Sequence, residues 1–193
     1  MRSARQCEAH AQHGGCTMKL RLRPTLLDDL DYVLSLERAA DNLPFITPWE
    51  RPQHEAAVRF PDFRHFIIEA GEGWAASGFV ILVGCRNQHR NVELKRIVVA
   101  GKGQGVGRAT VRGIKQMVFD DFRAHRLWLD VKSNNPRALH LYESEGFRVD
   151  GVLRECLQDN DAWLSLTVLS MLEHDYRERL AQGTEAPRGA ISA

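Results

Sequence analysis

The sequence predicts one mixed α/β (α+β) domain on a mostly antiparallel sheet of about seven strands, and three observations carry this. The first is a run of three strand-period segments, HFIIEA at 65–70, GFVILVGC at 78–85 and VELKRIVVA at 92–100, joined by the turn-like links GEGWAAS and RNQHRN. Short links between successive strands give an antiparallel meander. The second is a strand, the glycine turn GKGQGVGRA, an amphipathic helix and the strand RLWLDV at 126–131. This is a β-α-β unit, and its crossover makes the two strands parallel. The third is a closing hairpin, 147–157 and 163–172 around the turn QDNDA.

Taken in order, the first 17 residues carry basic side chains with no apolar stretch behind them, so neither a secretory signal nor a folded element is expected there. Cys7, His10, His13 and Cys16 recur every third residue, but a frayed extension accounts for them better than a zinc site, and no metal is expected. Leu20 and Leu22 alternate with Lys19, Arg21 and Arg23 as a short strand stopped by Pro24. Thr25 or Asp28 would cap a helix holding Leu30, Val33, Leu34 and Leu36, and a second helix would run over 50–60 after three prolines. After the meander, Val111, Ile114, Val118 and Phe122 are spaced 3, 4 and 4, which places them on one helical stripe. Asn135 fits the N-cap of the next helix, Pro136 its first turn and Gly146 the left-handed residue after it. The domain is expected over 18–180, with a frayed tail over 181–193.

Composition narrows the function. With 26 Lys+Arg against 25 Asp+Glu, the formal charge of +1 provides no field for nucleic acid or an acidic membrane surface. No apolar run reaches the 18 residues of a membrane span. Four unevenly spaced cysteines fit a reducing compartment, and a cytoplasmic location is expected.

Gly101, Gly103, Gly105 and Gly107 alternate between a β-branched strand and a helix start. Glycines there let backbone amides approach a ligand, and the positive helix terminus favours an anion, most often a phosphate. A Walker loop is excluded because no glycine is followed by Lys and then Ser or Thr, and neither G-x-G frame has its third small residue in place. An S-adenosylmethionine methyltransferase, with Asp130 as its downstream acid, is the harder rival. Only 63 residues follow Asp130, too few for the rest of a doubly wound sheet.

Lys102-Gly103-Gln104-Gly105-Val106-Gly107 then resembles the [QR]-x-x-G-x-[GA] motif of the GNAT superfamily of N-acetyltransferases, with Lys in place of Gln or Arg. Asn135-Pro136-Arg137-Ala138-Leu139-His140-Leu141-Tyr142, followed by Gly146-Phe147, resembles that family's second motif at every defined position. The likeness spans most of 19–175, and its ending is similar to the branch holding ribosomal-protein N-terminal and polyamine acetyltransferases. One departure is the link from Val99 to Lys102, about two residues shorter than in many members.

The resemblance implies helices on both faces of the sheet and acetyl-CoA as co-substrate. The pyrophosphate would lie on the amides of Gly103, Gln104, Gly105, Val106, Gly107 and Arg108, with Lys102 or Arg108 adding charge. Ile97, Val98 and Val99 would offer their strand edge to the pantetheine, and Asn135 would contact the cofactor or serve as a plain cap. A free lysine or α-amine is mostly protonated at neutral pH, with reference pKa values of roughly 10.4 and 7.7–8.0, so transfer to nitrogen benefits from a base. Glu93, six residues before Val99, stands where many GNAT enzymes place theirs; its alternative is an ion pair with Lys95 or Arg96. Tyr142 resembles the general acid for the thiol. Phe45 and Trp49 are the candidate acceptor wall. The acceptor is expected to be a small-molecule or peptide amine, and a homodimer stays open.

Overall fold

The computed structural model describes residues 7–13 and 16–185, with side chains from Lys19 onward. The strands are β1 (Cys7–His13), β2 (Cys16–Pro24), β3 (Arg64–Ala70), β4 (Ala75–Val83), β5 (Asn91–Val99), β6 (Arg126–Lys132), β7 (Arg148–Asp159) and β8 (Ala162–Leu172). The helices are α1 (Leu30–Glu37), α2 (Arg51–Arg59), α3 (Val106–Gln116), α4 (Pro136–Ser144) and α5 (Glu173–Ala181). One eight-stranded sheet has the order β1-β2-β3-β4-β5-β6-β8-β7, antiparallel throughout except between β5 and β6. The eighth strand is β1, inside the stretch read from the sequence as an extension; the side chains of Cys7, His10, His13 and Cys16 lie outside the described residues.

Two apolar clusters cover the two faces. Val111, Ile114 and Val118, with Phe122 at the margin, form the expected stripe and pack over Leu20, Val80, Leu82, Leu127 and Leu169. On the opposite face, Leu30 and Val33 of α1 pack on Ile67, Phe79, Ile81 and Val98. The helical stripe ends in a π-turn at Met117–Asp121 before Phe122. Thr25 and Asp28 do not cap α1: a 3₁₀ turn precedes it, Asp29 accepts from the Leu26 N–H (2.7 Å), and Thr25 is buried against His65. Helix α5 was not foreseen; it is mostly polar, and it docks through Tyr176, stacked on Phe119 at 5.0 Å.

Two irregularities shape the centre of the sheet. Ile81 pairs with Arg96 and Leu82 with Leu94, so Lys95 is an extra residue in β5. The bulge reverses which side chains face which layer: Val92 and Leu94 join the α3 cluster, whereas Val98 joins the α1 cluster. The parallel pairing of β5 with β6 covers only Asn91–Arg126, Val92–Leu127 and Glu93–Trp128. Beyond Glu93 the two strands part, β5 staying with β4 and β6 with β8, and a fork opens toward their C-terminal ends.

Candidate active site

Both helices that follow the fork begin at its open end. Gly105 caps α3 in the left-handed conformation (φ 81°) with no side-chain cap, and the first intrahelical bond runs from the Ala109 N–H to the Gly105 carbonyl (3.0 Å). The amides of Val106, Gly107 and Arg108 precede that bond and have no partner within the helix, so they are donors for an anion at its positive end. A β-carbon at Gly103 would meet nothing within 4 Å, and at Gly107 only the Leu141 side chain at 3.9 Å, so the loop surface is open. Across the mouth, Asn135 caps α4 by accepting from the Ala138 N–H at 3.1 Å.

The two cations expected at the pyrophosphate have other partners. Arg108 donates to Glu145 (2.6 Å), and the Lys102 ammonium bonds the Asp41 carbonyl and lies 5.5 Å from the centre of the Phe45 ring. Asn134, on the loop after β6, donates to the Pro44 carbonyl at 3.1 Å. The segment between α1 and α2 thus straddles the mouth, touching the loop beyond each prong. Phe45 belongs to that strap.

Glu93 stands at the crotch of the fork as the last residue of β5 paired with β6. Its carboxylate accepts from Lys95, the bulge residue, at 3.1 Å, and the lysine is more than one-third exposed. Tyr142 is buried on α4 against Phe147, with ring centres 5.7 Å apart. Burial, and then the Asp130 charge on β6, raise its pKa above the ordinary tyrosine value, so the hydroxyl keeps its proton at neutral pH. Ile97 and Val99 pack toward α3, Val98 toward α1, and the β5 edge from Leu94 to Val99 faces the fork.

A buried polar network that sequence reasoning missed lies on the α1 side. Glu37, fully buried, accepts from Arg96 and from the Trp49 N–H (2.7 Å), and Arg96 also donates to the Thr47 carbonyl (2.8 Å) while its guanidinium lies 4.8 Å from the Trp49 ring centre. Burial pushes the Glu37 pKa up, but His54, Arg96 and the Trp49 amide outweigh it and hold the carboxyl below its usual range. His54 Nε2 is 3.4 Å from Glu37, His54 Nδ1 is 3.1 Å from His65 Nε2, and His65 Nδ1 is 2.9 Å from the Thr25 hydroxyl. The carboxylate beside His54 Nε2 selects one proton arrangement: Thr25 donates to His65, His65 to His54, and His54 points its N–H at Glu37. A signal was present, since Leu30, Val33 and Glu37 share one phase of α1 and the third member is charged.

A second network joins α3 to α4. Glu145 accepts from Arg108, Arg112 (3.0 Å) and Lys115 (3.1 Å), and the fully buried Lys115 also pairs with Glu185. The chain therefore stays in the fold through 185, past the boundary at 180 expected from the sequence. Cys85 follows β4 with its thiol pushed up to about 11 by burial, so it presents no activated thiolate, and Cys156 is exposed. Among the described residues no cluster of His, Cys, Asp and Glu could hold a metal ion.

Comparisons with known proteins agree with this arrangement. The family model for the acetyltransferase (GNAT) domain matches residues 19–148. Spermidine N(1)-acetyltransferase of Escherichia coli K12 is 29% identical over 171 residues, covering 81% of this chain and 88% of that protein. Streptothricin acetyltransferase of Streptomyces lavendulae is 28% identical over 91 residues, covering 47% of this chain and 48% of that protein. A chimera of the Vibrio cholerae spermidine N-acetyltransferase superposes with a TM-score of 0.75 at 25% identity, over 83% of this chain and 99% of that one. The Vibrio cholerae enzyme in complex with CoA and spermine gives 0.74 at 24% identity, over 82% and 98%. With the motif order, the splayed strands and the family match in agreement, the chain belongs to the GNAT family of N-acetyltransferases.

Proposed function

We propose that the chain moves an acetyl group from acetyl-CoA to the primary amine of a small molecule in the cytoplasm, with both substrates bound at once. The observation that carries this reading is the fork between β5 and β6 with the unpartnered amides of α3 at its mouth. The residues fit the co-substrate: three helix-start amides suit a pyrophosphate, and a strand edge without a sheet partner suits the amide groups of pantetheine. When bound, acetyl-CoA supplies the acyl group and the thiol leaving group. The chain's own residues handle protons and position. Glu93, at the crotch, takes the proton from the incoming ammonium, and Tyr142, still protonated, offers one to the departing sulfur. Asn135 orders the start of α4 and so sets the depth of Tyr142. Val149, Val152, Leu153 and Trp163 leave an exposed apolar stretch on the last hairpin, which supports self-association, a homodimer being its simplest closed form.

Thiol release from acetyl-CoA over a panel of polyamines, arylalkylamines, amino acids and peptides with free N-termini tests the reading. Turnover with at least one amine is expected, reduced about 100-fold or more in Tyr142→Phe and Glu93→Gln, with the KM for acetyl-CoA little changed. Binding of acetyl-CoA with no turnover on any amine would indicate a binding module on the same fold.

A further inference from the structure

Strand β5 changes faces at its bulge. Before the bulge Val92 and Leu94 face the α3 cluster; after it Ile97 and Val99 do, while Arg96, opposite Ile81, and Val98 face α1. Without the extra residue, Lys95 would pair with Ile81 and Arg96 with Val80, which lies in the α3 cluster with Leu82, Ile114 and Val118. Ile97, Val98 and Val99 are apolar and suit either face. Arg96 suits only one, because among aliphatic side chains its guanidinium would lose water and gain no acceptor.

On the α1 face Arg96 finds a full set of partners. It donates to the Glu37 carboxylate and to the Thr47 carbonyl (2.8 Å), and its guanidinium lies 4.8 Å from the Trp49 ring centre. The other oxygen of Glu37 accepts from the Trp49 N–H at 2.7 Å and lies 3.4 Å from His54 Nε2. Buried pairs of this kind add little net stability over apolar side chains, and their best-attested use is to fix a register.

Register matters to a ligand that spans β5 and the glycine loop. Val99 pairs with Gly78; without the bulge it would stand opposite Ser77, one residue or about 3.4 Å nearer the mouth. The loop and the start of α3 follow Val99 in the chain, so the slip puts the amides of Val106, Gly107 and Arg108 out of step with the β5 edge. A pyrophosphate alone needs only the amides. A pantetheine joined to it needs both regions in step.

We infer that Glu37 and Arg96 are positioning residues for acetyl transfer, a buried ion pair that selects the bulged register of β5 and keeps its edge aligned with the anion-binding amides. The inference rests on the acetyl-CoA reading above. The test is calorimetric titration of the full chain with acetyl-CoA and with adenosine 3′-phosphate 5′-diphosphate, which keeps the pyrophosphate and lacks the pantetheine. The variants are Arg96→Lys and the double variant Glu37→Gln, Arg96→Met. The double variant removes both charges and leaves an acceptor for the Trp49 N–H, so the slip is no longer penalised. It is expected to bind acetyl-CoA about tenfold more weakly or worse, with the nucleotide Kd within about twofold of wild type. Arg96→Lys, which keeps the charge, is expected to bind both ligands within about threefold of wild type. Unchanged acetyl-CoA binding in the double variant overturns the inference. Equal weakening of both ligands also overturns it, since that is general loosening, as does an Arg96→Lys variant as weak as the double one. If the double variant does not fold, Arg96→Met alone, in which Glu37 keeps His54 and the Trp49 amide, is held to the same expectation. Failure of both to fold overturns the inference, because the pair would then be needed for folding and not for register. Absence of acetyl-CoA binding to the wild type would instead remove the acetyltransferase reading itself.

Discussion

Two buried carboxylates, Glu37 and Glu145, each gather several donors, and single residues of this kind account for most of what side-chain patterning concealed. Glu37 occupies a core phase of α1 and would be intolerable there without Arg96, the Trp49 amide and His54 around it. His65, next along the chain of contacts, has its pKa lowered from 6.5 to about 3, chiefly by burial and then by its neighbour His54. A depressed histidine pKa means that the unfolded chain takes up the proton first as pH falls. Stability from this residue is therefore full above about 6.5 and is lost toward 3, at up to about 1.4 kcal/mol per pH unit. Glu37, held below its usual value, adds loss in the same direction below its unfolded pKa. Urea unfolding between pH 7.5 and 4.5 is expected to show a falling midpoint in the wild type and a flatter dependence in His65→Leu. An unchanged slope would mean that His65 is accessible to protons in the folded state.

At the scale of elements, the proposed site depends on α3 and α4 keeping a fixed relation, because one would present the amides and the other Tyr142. Glu145, directly after α4, clamps them through Arg108 and Arg112 at part-buried positions and Lys115 at a buried one. Removing one partner of a buried pair costs about 3–5 kcal/mol, since the remaining cations stay desolvated. Glu145→Gln is expected to lose that much in urea unfolding and to raise the KM for acetyl-CoA, whereas Arg112→Gln, one-third exposed, loses under about 1 kcal/mol. Equal losses in the two variants would show that the clamp is not centred on Glu145. Gly78 makes a different contribution: a β-carbon there would lie 2.2 Å from the Val98 carbonyl, so β4 needs glycine where it presses on its paired neighbour β5.

For the whole molecule, the arrangement of layers separates the acetyltransferase from the methyltransferase that the glycine loop also suggested. Among the described residues the one parallel contact, three residue pairs long, lies in an otherwise antiparallel sheet, not a doubly wound one. Acetyl-CoA at about 100 times its Kd is expected to stabilise the fold by about 2.7 kcal/mol, read as a rise in melting temperature, while S-adenosylmethionine gives no rise. A shift with S-adenosylmethionine alone would refute the assignment.

Local patterning was enough for the meander, the β-α-β unit, the Asn135 cap and the closing hairpin, because each depends on period, turn residues and caps within a short stretch of chain. It was also enough to propose an anion at the glycine loop, since helix-start amides and missing β-carbons are local properties. Tertiary structure decided the bulge at Lys95, the parting of β5 from β6 after Glu93, the diversion of Lys102 and Arg108 to Asp41 and Glu145, and the docking of α5 through Tyr176. These depend on partners distant in sequence, and a charged side chain's partner is set by what the fold brings within hydrogen-bond reach, which no periodicity encodes.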